Sequence, residues 1–295
     1  MTLNNKRLFG TLCGIGAAVC YGTNPLGALN LYAEGMGTGS VLFYRFGLAW
    51  VIIAAVMLFR HESLRVTWRE FGVLTTLGLL FSASSLTLYL SFRLIAAGVA
   101  STLLFTYPVM TAVIMTLFFK ERVGMRTVAA IVLSLAGVVL LYWGGGDGPL
   151  NALGVVLVLL SALTYAVYII VMSRGQLRMS SFKINFYVLI YCALGALAYA
   201  LVSGQPVILP PSTKAWFYVG WLAVVPAIMA LVMMVYSAKL IGSTPTAILG
   251  ALEPLTAVLI GVFVFSEPFT LNLAIGIVLI LSAVIIIVFR KNESR

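Results

Sequence analysis

The chain has 295 residues, of which 62% are hydrophobic and only 9% charged, with 18 Lys and Arg against 8 Asp and Glu. A soluble domain carries about 45–50% apolar and about 25% charged residues, so this composition excludes one. It fits an integral membrane protein with little beyond its spanning segments.

Ten apolar stretches of spanning length follow in order: 8–30, 39–59, 70–92, 98–119, 126–143, 152–173, 182–202, 215–238, 244–265 and 270–289. About 20 predominantly apolar residues cross about 30 Å of hydrocarbon. In lipid they must be helices, because an open sheet or loop leaves backbone groups unpaired. The runs are too long and too continuously apolar for membrane-barrel strands. The expected fold is therefore an all-α membrane protein with ten transmembrane helices. Lys6 and Arg7 before the first run look like the start of a signal peptide. That run outlasts a typical h-region and no small-x-small cleavage site follows, so the first helix is expected to be retained.

The charges give the topology. With a cytoplasmic N-terminus and ten helices, fifteen of the 18 Lys and Arg fall inside, Arg93 and Lys214 fall outside, and Arg45 lies within the second helix. This is the positive-inside bias, with both termini cytoplasmic. The net charge of +10 is thereby absorbed by topology, and no nucleic-acid surface is expected. Cys13, Cys20 and Cys192 all lie in apolar runs and read as packing residues, and His61 has no companions for a metal site. No metal and no cofactor is expected. The loops are short, and no Gly-rich loop ends in Gly-Lys-Ser/Thr, so any transport runs without an ATPase of its own.

The sequence repeats itself. "RLIAAGVASTLLFTYPVMTAVIMTLFFKE" begins at Arg93 and "KLIGSTPTAILGALEPLTAVLIGVFVFSE" at Lys239. A constant offset of 146 residues relates Arg93 to Lys239, Pro108 to Pro254 and Glu121 to Glu267. Gly10, Ala18 and Tyr21 correspond more loosely to Gly154, Ala162 and Tyr165 at an offset of 144. Two five-helix halves, 1–145 and 150–295, are expected. Five is odd, so the second half enters the membrane from the opposite side. Inverted repeats of this kind underlie many secondary transporters, whose sites lie near the midplane between the repeats.

On these motifs the chain resembles the EamA family of the drug/metabolite transporter superfamily. The carrying stretches are "YPVMTAVIMTLFFKE" with Tyr107, Pro108 and Glu121, "EPLTAVLIGVFVFSE" with Glu253, Pro254 and Glu267, and "YRF" at 44–46. The resemblance spans the whole chain. It implies a central cavity that alternates between inward- and outward-open states, and export of amino acids or related small metabolites. The other transport reading is efflux of amphipathic or cationic toxic compounds. The expected location is the bacterial cytoplasmic membrane, with a small-molecule substrate, the lipid bilayer and a proton as possible coupling ion for partners.

Glu253 lies about ten residues into the ninth helix, roughly halfway across at about 1.5 Å per residue. An ionisable group at that depth is costly and reads first as functional, here as a proton- or cation-binding carboxylate. The alternative is a structural glutamate serving backbone groups freed by Pro254. Arg45, the other intramembrane charge, can bind a substrate carboxylate. It can equally snorkel to the outer interface or pair inside the protein, and one of these is the expectation. Pro25, Pro108, Pro226 and Pro254 all interrupt spanning helices. Each removes a helix hydrogen bond, giving hinges or cavity-lining breaks, or static kinks.

Polar and aromatic residues cluster at similar depth: Tyr21, Asn24, Ser84, Ser85, Tyr89, Thr106, Tyr107, Ser161, Thr164, Tyr165, Tyr168 and Tyr236. They are candidates to line a substrate cavity, or else interfacial belt and interhelical glue. Gly14, Gly16, Ala17, Ala18, Gly250 and Ala251 read as close-packing positions. "GGGD" at 144–147 matches the GxGD of one intramembrane aspartyl protease class. That chemistry needs a second membrane carboxylate, and Asp147 is the sole aspartate of the chain, in a Gly-rich loop. No enzyme is expected, and the stretch reads as the linker between halves.

Overall fold

The computed structural model describes residues 3–119, 125–143, 150–175, 177, 179–241, 246, 249–250 and 252–293. Glu121 and the 144–147 stretch with Asp147 lie outside them. All regular structure among the described residues is helical. The helices are α1 (Leu3–Gly22), α2 (Asn24–Ala33), α3 (Thr38–Phe59), α4 (Trp68–Ser91), α5 (Ala97–Leu104), α6 (Tyr107–Phe119), α7 (Met125–Trp143), α8 (Ala152–Arg174), α9 (Ser181–Val202), α10 (Thr213–Val224), α11 (Ala230–Ile241), α12 (Leu252–Phe265) and α13 (Leu271–Glu293).

Seven spans among the described residues are long and apolar enough to cross a membrane: Lys6–Ala33, Thr38–Phe59, Trp68–Ser91, Ala97–Phe119, Ala152–Arg174, Ser181–Val202 and Thr213–Ser237. The fifth, ninth and tenth expected spans contain shorter apolar helices, Val128–Tyr142, Leu252–Phe265 and Leu271–Ile286. Large apolar side chains stand outward along the bundle, such as Leu58 at 76%, Phe118 at 76% and Phe263 at 80% exposure. Exposed apolar area on this scale is a lipid-facing surface, and the chain is a multi-pass membrane protein.

Helix starts follow ordinary capping chemistry. Asn151, Ser180 and Ser212 accept hydrogen bonds from Gly154, Lys183 and Ala215 N–H at 3.1, 3.1 and 3.0 Å. At α4, Thr67 accepts from Glu70 N–H at 3.3 Å, while the Glu70 carboxylate accepts from Thr67 N–H at 2.8 Å. This is the reciprocal capping box. Thr67→Ala is expected to cost about 1 kcal/mol. Thermal unfolding in detergent checks this, and an unshifted transition contradicts it.

The prolines sit at interruptions. α1 gives way to α2 at Thr23, with Pro25 in the first turn of α2. α5 gives way to α6 at Phe105 and Thr106, just before Pro108. Pro226 lies in a π-helical turn, Val225–Met229, between α10 and α11. Pro254 is in the first turn of α12. Carbonyls freed by such breaks need new partners. Thr23 Oγ1 donates to Cys20 O at 2.7 Å and Thr106 Oγ1 to Leu103 O at 2.8 Å.

The broadest packing joins α3 with α9, α4 with α8, α7 with α13, α1 with α11 and α4 with α9, followed by α5 with α12. Small residues permit the closest approaches. A Cβ on Gly22 would lie 2.7 Å from the carbonyl oxygen of Glu253 and 2.5 Å from Thr256 Cβ. The end of α1 is thereby set directly against the Glu253-Pro254 break. Cys13 and Cys192 are buried, Cys20 is half-buried, and all three are free thiols.

Candidate functional site

The interruptions converge on a cavity of about 180 Å³. A water's share of liquid volume is about 30 Å³, so this is room for a small metabolite. The walls come from α1, α2, α3, α4, α5, α6, α8, α11 and α12. The site is therefore enclosed only when elements from opposite ends of the chain pack together.

Of the polar, aromatic and charged residues singled out above, Tyr21, Asn24, Arg45, Ser85, Tyr89, Tyr107, Tyr165 and Glu253 line this cavity. Ser84 lines it too and also ties α4 to α8, because Ser161 Oγ donates to Ser84 O at 2.7 Å. Five others stand elsewhere, among them Thr164, whose hydroxyl donates to Leu160 O at 2.9 Å within α8. Ser161 is fully buried in that α4–α8 contact, and Thr106 is buried at the α5–α6 break. Tyr168 stacks behind Tyr165, with ring centroids 5.7 Å apart. Tyr236 is 52% exposed on the outer face, edge-on to Phe9 at 6.5 Å. Tyr236→Leu is accordingly expected to leave transport unchanged. A flux assay in proteoliposomes checks this, and a loss comparable with that of a cavity variant contradicts it.

The apolar walls are Gly14, Ala17, Ala18, Phe81, Leu88, Leu104, Phe105, Met234 and Gly250. Reading for polar groups passes over them, and Gly14, Ala17, Ala18 and Gly250 read from the sequence as packing positions only. A signal was present on α4: Phe81, Ser84, Ser85 and Leu88 recur at spacings of three and four, which marks one helix face. Aromatic rings meet edge-on beside Glu253, with Tyr107 and Tyr165 at 4.8 Å and Phe105 and Tyr107 at 5.6 Å.

Two charged side chains face this space. The Glu253 carboxylate has no hydrogen bond or ion pair among the described residues. The structural alternative, a carboxylate serving the backbone around Pro254, is therefore not what the described contacts contain. Arg45 is held away from the interface, and no carboxylate among the described residues pairs with it. It is 6% exposed, and its Nη1 donates to the Tyr89 hydroxyl. Tyr89 OH donates on to Asn24 Oδ1 at 3.3 Å, and Asn24 Nδ2 donates to Tyr21 O at 2.8 Å. Arg45 is thus held inward by a relay that ends at the α1–α2 break.

The closing glutamate of the second signature has a separate position. Glu267 accepts from Ala97 N–H at 2.6 Å and Gly98 N–H at 3.1 Å, capping the start of α5. No helix among the described residues contributes a group of three or more His, Cys, Asp or Glu arranged to hold a metal ion.

Comparison with known proteins adds the family. The sequence profile of the EamA-like transporter family matches residues 8–143 and 152–289. An uncharacterized transporter of Archaeoglobus fulgidus is 29% identical over 189 residues, 64% of this chain and 66% of that one. Uncharacterized transporter YdfC of Bacillus subtilis is 34% identical over 82 residues, 28% of this chain and 27% of that one. The matched stretches thus span just under two thirds of the first relative and about a quarter of the second. Uncharacterized transporter sll1319 of Synechocystis is 26% identical over 77% of this chain and 68% of its own length. A crystal structure superposes with a TM-score of 0.69 over 98% of this chain and 99% of that one, at 21% identity, which is a likeness of fold. The chain belongs to the EamA-like transporter family.

Proposed function

We propose that this transporter exports small metabolites, amino acids or related compounds, across the cytoplasmic membrane by alternating access. The observation that carries the reading is the cavity itself. It lies where Pro25, Pro108 and Pro254 interrupt helices, and it holds one acidic and one basic side chain between aromatic walls. Irregular backbone at membrane depth is tolerated where it lines such a space, and breaks of this kind mark substrate sites in secondary transporters.

The ten-span arrangement in two inverted halves belongs to this proposal. It is supported by the repeat at an offset of 146 residues and by the two-part family match. The helix pairs support it as well. Exchanging the halves maps α3–α9, α5–α12 and α7–α13 onto themselves and turns α4–α8 into α1–α11. Cytoplasmic termini follow from the positive-inside count, and a proton taken up by Glu253 is the proposed coupling ion.

One observation favours the second reading, efflux of amphipathic or cationic compounds. A carboxylate with no hydrogen bond or ion pair among the described residues, set beside Tyr21, Tyr107 and Tyr165, suits a cation. Arg45 in the same space weighs against it. Profiling the medium of cells with and without the gene tests the choice. Amino acids or related metabolites accumulating outside only when the gene is present support export of that class. Unchanged metabolites with altered tolerance of cationic dyes favour the second reading.

A further inference from the structure

We propose that Arg45 is the anion anchor of the cavity, receiving a carboxylate of the transported solute and selecting carboxylates over neutral analogues of the same shape. This rests on the transport reading above and names the solute chemistry and the residue that recognises it.

Burying a guanidinium is costly unless it is paired and hydrogen-bonded. Arg45 is 6% exposed, yet no carboxylate among the described residues pairs with it. Its Nη1 is used by Tyr89, and its buried Nε has no acceptor among the described residues. A guanidinium has five N–H donors in a planar fork that matches a carboxylate. The described protein occupies little of that capacity, and the residue lines the cavity. The rings of Phe46 and Tyr89, with centroids 5.1 and 5.2 Å from Arg45 Cζ, stabilise the cation but accept none of those N–H groups.

Positioning argues the same way. Tyr89 is 1% exposed and anchored through Asn24 to the α1–α2 break, so the guanidinium is held in place before any solute arrives. Preorganisation of this kind lowers the cost of binding. The opposite charge, Glu253, also lines the cavity but forms no ion pair with Arg45. The anionic end of a solute can therefore take Arg45 without displacing an internal partner. The apolar body would lie against Phe81, Leu88 and Leu104.

The test is flux in proteoliposomes of the full chain, using matched probe pairs. Amino acids, phenylacetate and 3-phenylpropionate are each compared with the corresponding amide. The expected result is carboxylate flux at about tenfold or more over the amide, the scale of a hydrogen bond to a charged group. Arg45→Gln erases that preference, Arg45→Lys keeps part of it, and Tyr89→Phe weakens it. The wild-type comparison stands even if a variant fails to fold. Equal flux of acids and amides in the wild type overturns the anchor while leaving the carrier reading intact. Unchanged selectivity in a folded Arg45→Gln protein overturns it likewise. Absence of flux for every probe overturns both the anchor and the carrier reading.

Discussion

Replacing Glu253 by glutamine is expected to abolish transport, or to leave a flux that no longer responds to pH, while the chain still folds and inserts. The substitution keeps size and shape. The carboxylate makes no hydrogen bond or ion pair among the described residues, so no described contact is lost. What changes is the ability to carry a charge and exchange a proton, which an amide lacks. Gly22 packs against the Glu253 carbonyl and Tyr21 shares the cavity wall, so the group stands where α1 meets the α12 break. Flux measured across a pH series in proteoliposomes decides. Full activity with an unchanged pH response contradicts a coupling role.

Replacing Glu267 by alanine is expected to produce the largest loss of stability of any single change considered. Its carboxylate accepts from Ala97 and Gly98 at the N-terminus of α5, a helix start that favours negative charge. Ala97 and Gly98 are buried, so water cannot easily replace the lost acceptor. Each orphaned N–H costs about 1–3 kcal/mol. The side chain also fills space over Gly261, where a Cβ would come within 2.1 Å of Glu267 Oε2. Because Glu267 follows α12 and Ala97 opens α5, the contact holds together two segments that are 170 positions apart. Thermal unfolding in detergent is expected to shift well below the wild type, with Glu267→Gln in between because its amide keeps one acceptor oxygen. An Ala variant as stable as the wild type contradicts the capping role.

Much of this architecture was legible in the sequence because its causes are local. Helical character follows from lipid, which leaves no other use for the backbone. The breaks at Pro25, Pro108, Pro226 and Pro254 follow from a missing donor. The direction in which a side chain faces is a tertiary property and was less legible. Tyr165 and Tyr168 share a helix face, yet only Tyr165 lines the cavity, because Tyr168 packs behind it against Phe81 at 5.2 Å. Ser161 is spent on Ser84, a partner 77 positions away. Tyr236 turns outward to Phe9 on α1.

Arg45 is the sharpest case. Its position near the outer end of the second span argues for the interface, where long basic side chains reach water. Its inward placement depends on Tyr89 and Asn24, contributed by two other helices. Nothing in the local sequence of α3 contains that information. Glu267 is similar: its recurrence at the repeat offset marks it, but its role appears only when α5 is set against it.

The measurement that tests alternating access most directly is counterflow. Proteoliposomes containing the purified chain are preloaded with an unlabelled amino-acid mixture, and a trace of one labelled member is added outside. A carrier with a cavity exposed to one side at a time predicts saturable uptake that transiently exceeds equilibrium and fades as the internal pool exchanges. Flux that rises linearly with concentration and shows no overshoot would contradict the account.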